Sequence, residues 1–512
     1  MAILFAKMYS ALLFKLTKYF RYLDSKKTEY LVNIALFSAG YVCLSQGINE
    51  QTKFLAYFSS FFFYLLARKL KIWESFVVGF VMGAWFGYVS FHWLSFFKDF
   101  TAFNLAIAFN GLLFSLIFGG ASFLFNKYPK NTFVHIFSFS LVIFLIRAVF
   151  HYSPFMAYAK AFLTLVNTST YFDWLVPVFG SSITDILVLA TGCLMALIYT
   201  HLKDKKSLNN LYPYIFVFLL LALVPLFSNY GQSFDKSKKE IVKVALLQGN
   251  FNWDWEDRVR RTEEIVEYYS KETANAAGQG AQIVIWPEYA VAKDILHSNQ
   301  ILSEKLVSLS YKHKVVIVAG SLELITDQPN PNNKWTGYDV SLVFDPEKIL
   351  LEPYRAIYPI SDNVLVGKKR IIFDTKYGSF PVISCFEVAY HKFVADYSNQ
   401  SQPVDFLVGI ANIQLFLGTD GTKRIQDHIR RIAMENGKYF VYVSNTGPSF
   451  VINPKGEFEH IVPTLAQKTL VVDVPKIKER SFYSKYQDLP LLLLFSFSYG
   501  TVLYTHSKRK KR

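Results

Sequence analysis

Eight apolar stretches with few charges recur along the chain, near 30–47, 53–67, 73–96, 103–125, 132–150, 175–200, 212–228 and 489–505. Most are long enough, as helices, to cross a hydrocarbon core of about 30 Å, which takes about 20 apolar residues. A chain patterned in this way needs a bilayer as part of its solvent. The stretches 53–67 and 212–228 are short for a crossing and are expected to rely on flanking aromatics or a locally thinner bilayer. Composition agrees, with 52% hydrophobic, 17% aromatic and 18% charged residues in a chain of 512.

Loop charges orient the spans, because short cytoplasmic loops collect Lys and Arg while translocated ones do not. With the amino terminus inside, nineteen basic residues fall on the cytoplasmic side: Lys7, Lys15, Lys18, Arg21, Lys26 and Lys27, then Arg68, Lys69 and Lys71, then Lys127 and Lys130, then Lys203, Lys205 and Lys206, and the tail 508–512. Three, Lys53, Lys98 and Lys160, fall in the short outer loops. The basic excess meets anionic lipid headgroups, so the net charge of +15 implies membrane lipids as partners and no nucleic acid. Residues 2–20 are apolar but broken by Lys7, Lys15 and Lys18, which suits a helix lying in the interface.

The expected organisation is an interfacial segment over 1–29, seven transmembrane helices over 30–228, an exported domain over 229–484, and a last span with a basic cytoplasmic tail over 485–512. In the exported part, short β-branched runs alternate with amphipathic stretches, the pattern of α/β architecture. Strands are expected at 241–247, 281–286, 315–319, 340–344, 381–384, 406–411, 439–444 and 469–474, and helices at 255–276, 300–313 and 422–436.

Two of these strands run into residues capable of chemistry, IVIW into Pro287-Glu288 and PVIS into Cys385-Phe386-Glu387, and strand ends are where α/β proteins build sites. Cys43 and Cys193 lie in spans, so Cys385 is the one thiol of the exported domain and cannot pair there. On residue type alone, Cys385 reads as a buried core cysteine or as a nucleophile, and Glu288 as a surface carboxylate or as a base. No His or Cys cluster has metal-ligand spacing, and no cofactor is implied.

Several strings together resemble the apolipoprotein N-acyltransferase family, a membrane-embedded branch of the nitrilase (carbon–nitrogen hydrolase) superfamily. VALLQGN at 244–250, followed by Trp253 and Trp255, is similar to the opening of that family's domain, IVIWPEYA at 283–290 to its Trp-Pro-Glu motif, and VISCFE at 382–387 to its nucleophile strand. QDHIRRIAMENGKYFVYVSNTG at 426–447 resembles its helix-then-strand segment. The resemblance implies a nitrilase-like αββα sandwich carried on the spans, and a Glu-Lys-Cys triad with Glu288 as general base and Cys385 as nucleophile. Glu288 has work to do, because a thiol with a pKa of about 8.5 is only a few per cent thiolate at neutral pH.

Two departures stand out. Where the family carries its lysine, this chain reads EPYRAIYPISDN at 352–363, without a lysine. Aligning the prolines sets Tyr354 at the lysine position and Asp362 at the motif's closing Glu, whereas a one-residue gap sets Arg355 there. Arginine offers a fixed charge and a fork of donors but does not readily shed a proton. Lys334 and Lys368 are further substitutes. The family's Asn-Asp-x-Trp-Phe-Gly loop appears as ANIQLFLG at 411–418, leaving Asn412, Leu415 and Phe416 to line the pocket.

The activity implied is transfer of an acyl chain from a phospholipid donor to Cys385, and from there to the amino-terminal S-diacylglyceryl-cysteine of an apolipoprotein. Trp253, Trp255, Asp362, Phe386, Glu387 and Asn412 would contact substrate, and Arg355 would serve beside Glu288 and Cys385. The family setting implies a bacterial inner membrane with the catalytic domain in the periplasm. A binding paralogue without turnover and a membrane-tethered amidase or nitrilase are the other readings. His92, Trp93, Arg147 and His151, at or within span ends, read as interface anchors or headgroup contacts.

Overall fold

The computed structural model describes residues 25–47, 51–92, 100–152, 171–227, 239–252, 254–325, 336–359 and 364–510. The expectations placed on residues 2–20, Trp93, Trp253, Lys334 and Asp362 lie outside them. Each of the eight apolar stretches holds helix within its described residues: α1 (Ser25–Gln46), α2 (Ala56–Ala67), α3 (Ile72–Ser90), α4 (Phe100–Lys127), α5 (Thr132–Tyr152), the short α6 (Val176–Phe179) followed by α7 (Ser182–Lys203), α8 (Tyr212–Phe227), and a terminal helix at Leu489–Lys510. Among the described residues, five helices are long and apolar enough to cross a membrane: Ile72–Ser90, Phe103–Lys127, Thr132–Phe150, Ser182–Lys203 and Leu489–Lys508. Lys53–Ala67 and Tyr212–Leu221 are apolar but shorter. These are the two stretches whose length already marked them as short.

The chain divides into two compact units, one within Met1–Ile143 and Asp185–Leu220, the other within Phe144–Thr184 and Leu221–Arg512. In the first, Gly79, Gly83 and Gly87 recur every four residues on α3 and meet the backbone of α4. A β-carbon would stand 2.5 Å from the Phe114 carbonyl oxygen at Gly79 and 2.1 Å from the Asn110 carbonyl oxygen at Gly83. Such small residues let two helices approach where packing, rather than expulsion of water, joins them. Trp73, Val77, Val81 and Trp85, also four apart, are exposed.

The second unit contains two sheets. The strands are β1 (Ile241–Gln248), β2 (Ile283–Ile285), β3 (Val316–Leu324), β4 (Gly337–Asp345), β5 (Ile349–Leu350), β6 (Tyr354–Arg355), β7 (Ile372–Thr375), β8 (Gly378–Ser384), β9 (Leu407–Ala411), β10 (Phe440–Ser444), β11 (Ser449–Ile452), β12 (Phe458–Val462) and β13 (Lys468–Pro475). One sheet runs β13-β1-β2-β3-β4-β5 with β6 also on β4, and the other runs β12-β11-β10-β9-β8-β7. Each has a parallel centre, β1-β2-β3 and β8-β9-β10, flanked by antiparallel strands. Such central strands are covered on both faces, which is why IVKVALL and FVYVS read as nearly continuous apolar runs.

Helices α9 (Trp255–Arg260), α10 (Thr262–Gly278) and α11 (Gln300–His313) belong to the first sheet, with Ile265, Val266, Leu302 and Leu306 packed into a core with Ala245, Val284, Ile317 and Leu342. Helices α12 (His391–Ser398) and α13 (Asp420–Asn436) belong to the second. The sheets meet where β1 packs on β10 and β11, giving α–β–β–α layering. The expected helix over 255–276 is two helices, broken at Arg261 (φ −96°, ψ 14°).

Candidate active site

Glu288 is delivered by the end of β2. Beyond Ile285, the indole of Trp286 is buried, stacks on Tyr269 at 5.0 Å and donates to the Thr273 hydroxyl at 3.0 Å. The backbone then folds against β3, with Gly320 N–H donating to Pro287 O and Val291 N–H to Gly320 O. A β-carbon at Gly320 would lie 2.5 Å from Glu288 Cα, so only glycine allows this approach. Tyr289 turns the chain through a left-handed conformation (φ 51°), which leaves Glu288 buried.

Cys385 follows β8 and also takes a left-handed conformation (φ 42°) as it enters a single 3-10 turn, Cys385–Ala389. A non-glycine residue there is strained, and strain of this kind persists only where the surroundings impose it. The imposing group is Glu387. One carboxylate oxygen accepts from Ser384 N–H at 2.9 Å. The other accepts from the Tyr354 hydroxyl at 2.7 Å and from the amides of Ile357 and Tyr358 at 2.7 and 3.2 Å. Burial pushes the Glu387 carboxyl up to about 7. Glu387 is thus a brace that ties the segment 354–358 to the thiol-bearing turn.

The Cys385 thiol and the Glu288 carboxyl are close enough that each acts on the other's ionisation. Burial and then the Glu288 charge hold the thiol well above its ordinary range, and burial and the Asp339 charge do the same to Glu288. Asn412, at the end of β9, donates its backbone N–H to Glu288 Oε2 at 2.6 Å, while both polar atoms of its buried carboxamide lack a partner among the described residues. Asp339 on β4 accepts from the Ser384 hydroxyl at 2.6 Å, and its charge acts on Glu288. Arg258 on α9 is buried, donates to the Tyr289 carbonyl and acts on Glu288 through its charge. The Tyr442 hydroxyl on β10 is buried without a partner among the described residues, and the charges of Cys385 and Glu288 act on it.

The structure therefore brings Glu288, Cys385 and Asn412 together, with Glu387 directly behind the turn. Trp255 packs edge-on to Tyr289 at 5.6 Å, one residue from Glu288. Phe386 is half-buried, edge-on to Tyr390 at 6.1 Å. Arg355 goes elsewhere: its guanidinium is forked onto Glu323 at 2.5 and 2.8 Å and lies over Tyr338. It lines a surface cavity with Glu352, Lys368 and Lys369. Side chains alternate along a strand, and on β6 Tyr354 faces the nucleophile turn while Arg355 faces out.

Asp339, Arg258, Tyr442 and Ser384 are not singled out by sequence reasoning. For Ser384 a signal exists, the Ser-x-x-Glu capping box it forms with Glu387. For Asp339 it is a carboxylate inside the apolar run YDVSLVF, and nothing separates Arg258 from Arg260 and Arg261.

A carbon–nitrogen hydrolase family model matches residues 243–480. The apolipoprotein N-acyltransferase of Wigglesworthia glossinidia brevipalpis is 26% identical over 347 residues, covering 62% of this chain and 65% of that protein. That of Aquifex aeolicus is 24% identical over 419 residues, covering 68% and 93%. Among solved structures, an amidase of the nitrilase superfamily from Nesterenkonia AN1 is similar with a TM-score of 0.39 at 15% identity, covering 50% of this chain and 97% of that one. The carbon–nitrogen hydrolase match over residues 243–480, together with relatives named apolipoprotein N-acyltransferase that align with about two thirds of the chain, makes this chain similar to the apolipoprotein N-acyltransferase-type branch of the nitrilase superfamily.

Proposed function

We propose that this chain N-acylates the amino-terminal S-diacylglyceryl-cysteine of apolipoproteins, taking the acyl group from a phospholipid through a thioester on Cys385. The observation that carries the reading is the pairing of the Cys385 thiol with the buried Glu288 carboxyl, each acting on the other's ionisation, on a chain with helices long and apolar enough to cross a membrane. Two lipid substrates reach such a site from the bilayer, whereas a hydrolase of small soluble amides has no need of spans.

In the first half-reaction Cys385 Sγ attacks the phospholipid ester carbonyl while Glu288 takes the thiol proton. The tetrahedral oxyanion collapses, the lysophospholipid oxygen leaves with that proton, and the acyl thioester remains. In the second, the amine attacks the thioester, Glu288 takes its proton, and the departing sulfur recovers it. Asn412 and Tyr442 supply buried donor groups that lack a partner among the described residues, the property an oxyanion site needs. On this reading the domain over 229–484 is exported to the periplasm and the chain resides in the bacterial inner membrane.

A second reading, a lipid- or lipoprotein-binding protein without turnover, is favoured by one observation: no described lysine is among the groups acting on Glu288 or Cys385. Incubation of the purified protein with phospholipid and peptide mass spectrometry separates the two. An acyl adduct on Cys385 that Cys385→Ala lacks supports transfer, and a folded protein that never acquires it refutes transfer. Cysteine accessibility to a membrane-impermeant reagent in intact cells, at positions introduced within 229–484, tests the orientation.

A further inference from the structure

We infer that Asp339 selects the acceptor: the open oxygen of its buried carboxylate receives the positively charged α-amino group of the incoming amino-terminal cysteine. The inference rests on the reading of the chain as an acyltransferase with an amine acceptor, and it names the group that recognises the amine.

The geometry starts on β4. Side chains alternate along a strand, so Asp339 and Ser341 share one face. Ser341 lies opposite Tyr354 of β6, and residues opposite one another in an antiparallel pair point to the same side of the sheet. That is the side on which the Tyr354 hydroxyl reaches Glu387, at 2.7 Å, behind the nucleophile turn. Asp339 points the same way, because its Oδ2 accepts from the hydroxyl of Ser384 at 2.6 Å, and Ser384 immediately precedes Cys385.

This bond leaves half of the carboxyl unused. Asp339 is 5% exposed, and its Oδ1 is buried without a partner among the described residues, as is the Ser341 hydroxyl on the same face. Burial pushes the Asp339 carboxyl up to about 6, which leaves it mostly ionised at neutral pH. A buried carboxylate with a bare oxygen is costly until a donor or a cation meets it. Glu288 has no equal vacancy, since its Oε2 takes the Asn412 amide at 2.6 Å and the group serves as base.

The chemistry of the two substrates decides which of them Asp339 serves. An ester carbonyl offers only acceptor oxygens, so a carboxylate gives nothing to the phospholipid donor. An α-amino group, with an ordinary pKa of about 8, is mostly ammonium near neutrality and carries three N–H donors on a small cation. It complements Asp339 Oδ1, with the Ser341 hydroxyl as a second acceptor on the same face. In the transfer, Asp339 takes one proton from the ammonium and afterwards releases it to water. The neutral amine attacks the thioester carbon, Glu288 takes the second proton as the N–C bond forms, and the sulfur recovers that proton as the C–S bond breaks. The third hydrogen stays on the amide nitrogen.

The test compares two synthetic S-diacylglyceryl peptides, one with the free α-amine and one with hydrogen in place of the amino group, binding to the full-length protein in detergent without phospholipid. Wild type is expected to bind the amine about tenfold to hundredfold more tightly, the range for a hydrogen-bonded charge pair. Asp339→Asn can still accept from Ser384 through its amide oxygen but turns a donor toward the ammonium, and it should bind both peptides alike. Asp339→Ala is the second variant, with the same expectation. Equal binding by wild type overturns the inference, and so does a preference retained in either folded variant, which would put the ammonium on another group. A second readout is the discharge of the Cys385 acyl adduct by the amine peptide against discharge by hydroxylamine, which is uncharged near neutrality. Asp339→Asn should lower the ratio of the two rates by about tenfold or more, and equal slowing of both would make Asp339 structural and overturn its role as selector. An amine preference lost in Asp339→Asn, in a protein that never acquires an acyl adduct, leaves the ammonium site standing and removes the acyl-transfer reading.

Discussion

Replacing Tyr354 by phenylalanine removes one hydroxyl from the Glu387 brace and almost nothing else, because the ring is fully buried and keeps its packing. The lost bond is 2.7 Å long to a carboxyl group that also accepts three backbone amides. Hydrogen bonds to charged groups contribute about 1.5–3 kcal/mol, and the protonated fraction of Glu387 places the value toward the lower end. For a domain of this size about 1.5 kcal/mol corresponds to a fall in Tm of roughly 3–6 °C, measurable by intrinsic fluorescence in detergent. The three remaining amide bonds keep the turn in place, so the rate of Cys385 acylation should fall by less than about tenfold. Loss of an oxyanion donor costs about 10²–10³ in rate. An unchanged Tm together with a loss of that larger size would place the Tyr354 hydroxyl on the reacting carbonyl and refute the brace.

Arg355→Ala should leave acylation nearly intact while lowering stability by about 1–3 kcal/mol, since Glu323 is buried and, among the described residues, keeps His297 as its ion-pair partner; a hundredfold rate loss would return Arg355 to the oxyanion. Glu288→Gln should slow acyl-adduct formation by about 10²–10⁴ with the fold retained, read as adduct mass against time. Gly320→Ala forces backbone apart at Glu288 and should cost about 1–3 kcal/mol and most of the activity, checked by Tm and adduct yield together. The folded-state value of Glu387 is raised, so the folded protein binds more protons than the unfolded chain between the ordinary carboxyl value and about 7. Stability from this group is therefore lost as pH rises through that window, and Tm measured from about pH 5 to about pH 8 should fall more steeply in wild type than in Glu387→Gln.

Much of this architecture is legible in the sequence because burial writes itself as pattern. The β1 and β10 runs are apolar on both faces, and the two strand-end motifs put Glu288 and Cys385 where the sheets deliver them. Elements that the pattern misses, such as β5, β6 and β7, are two to four residues long, too short for a period to show. The ambiguity between Tyr354 and Arg355 is of the same origin. In a two-residue strand one side chain faces in and its neighbour out, and the pairing of Ser341 with Tyr354 on β4 settles which, information that lies in the partner strand. Asp339 escapes notice because the groups it meets or acts on, Ser384 and Glu288, come from distant strands.

The glycines of α3 carry a consequence for how that helix tolerates change. Along Gly79 and Gly83 a neighbouring backbone occupies the space of even a methyl group, so alanine is already too large there, and at Gly87 it would be a tight fit. Along Trp73, Val77, Val81 and Trp85 the surface is open, and any side chain that dissolves in hydrocarbon is acceptable. One helix thus interleaves two texts at the same four-residue spacing, one read by a protein neighbour at atomic tolerance and the other read by lipid for its solubility alone.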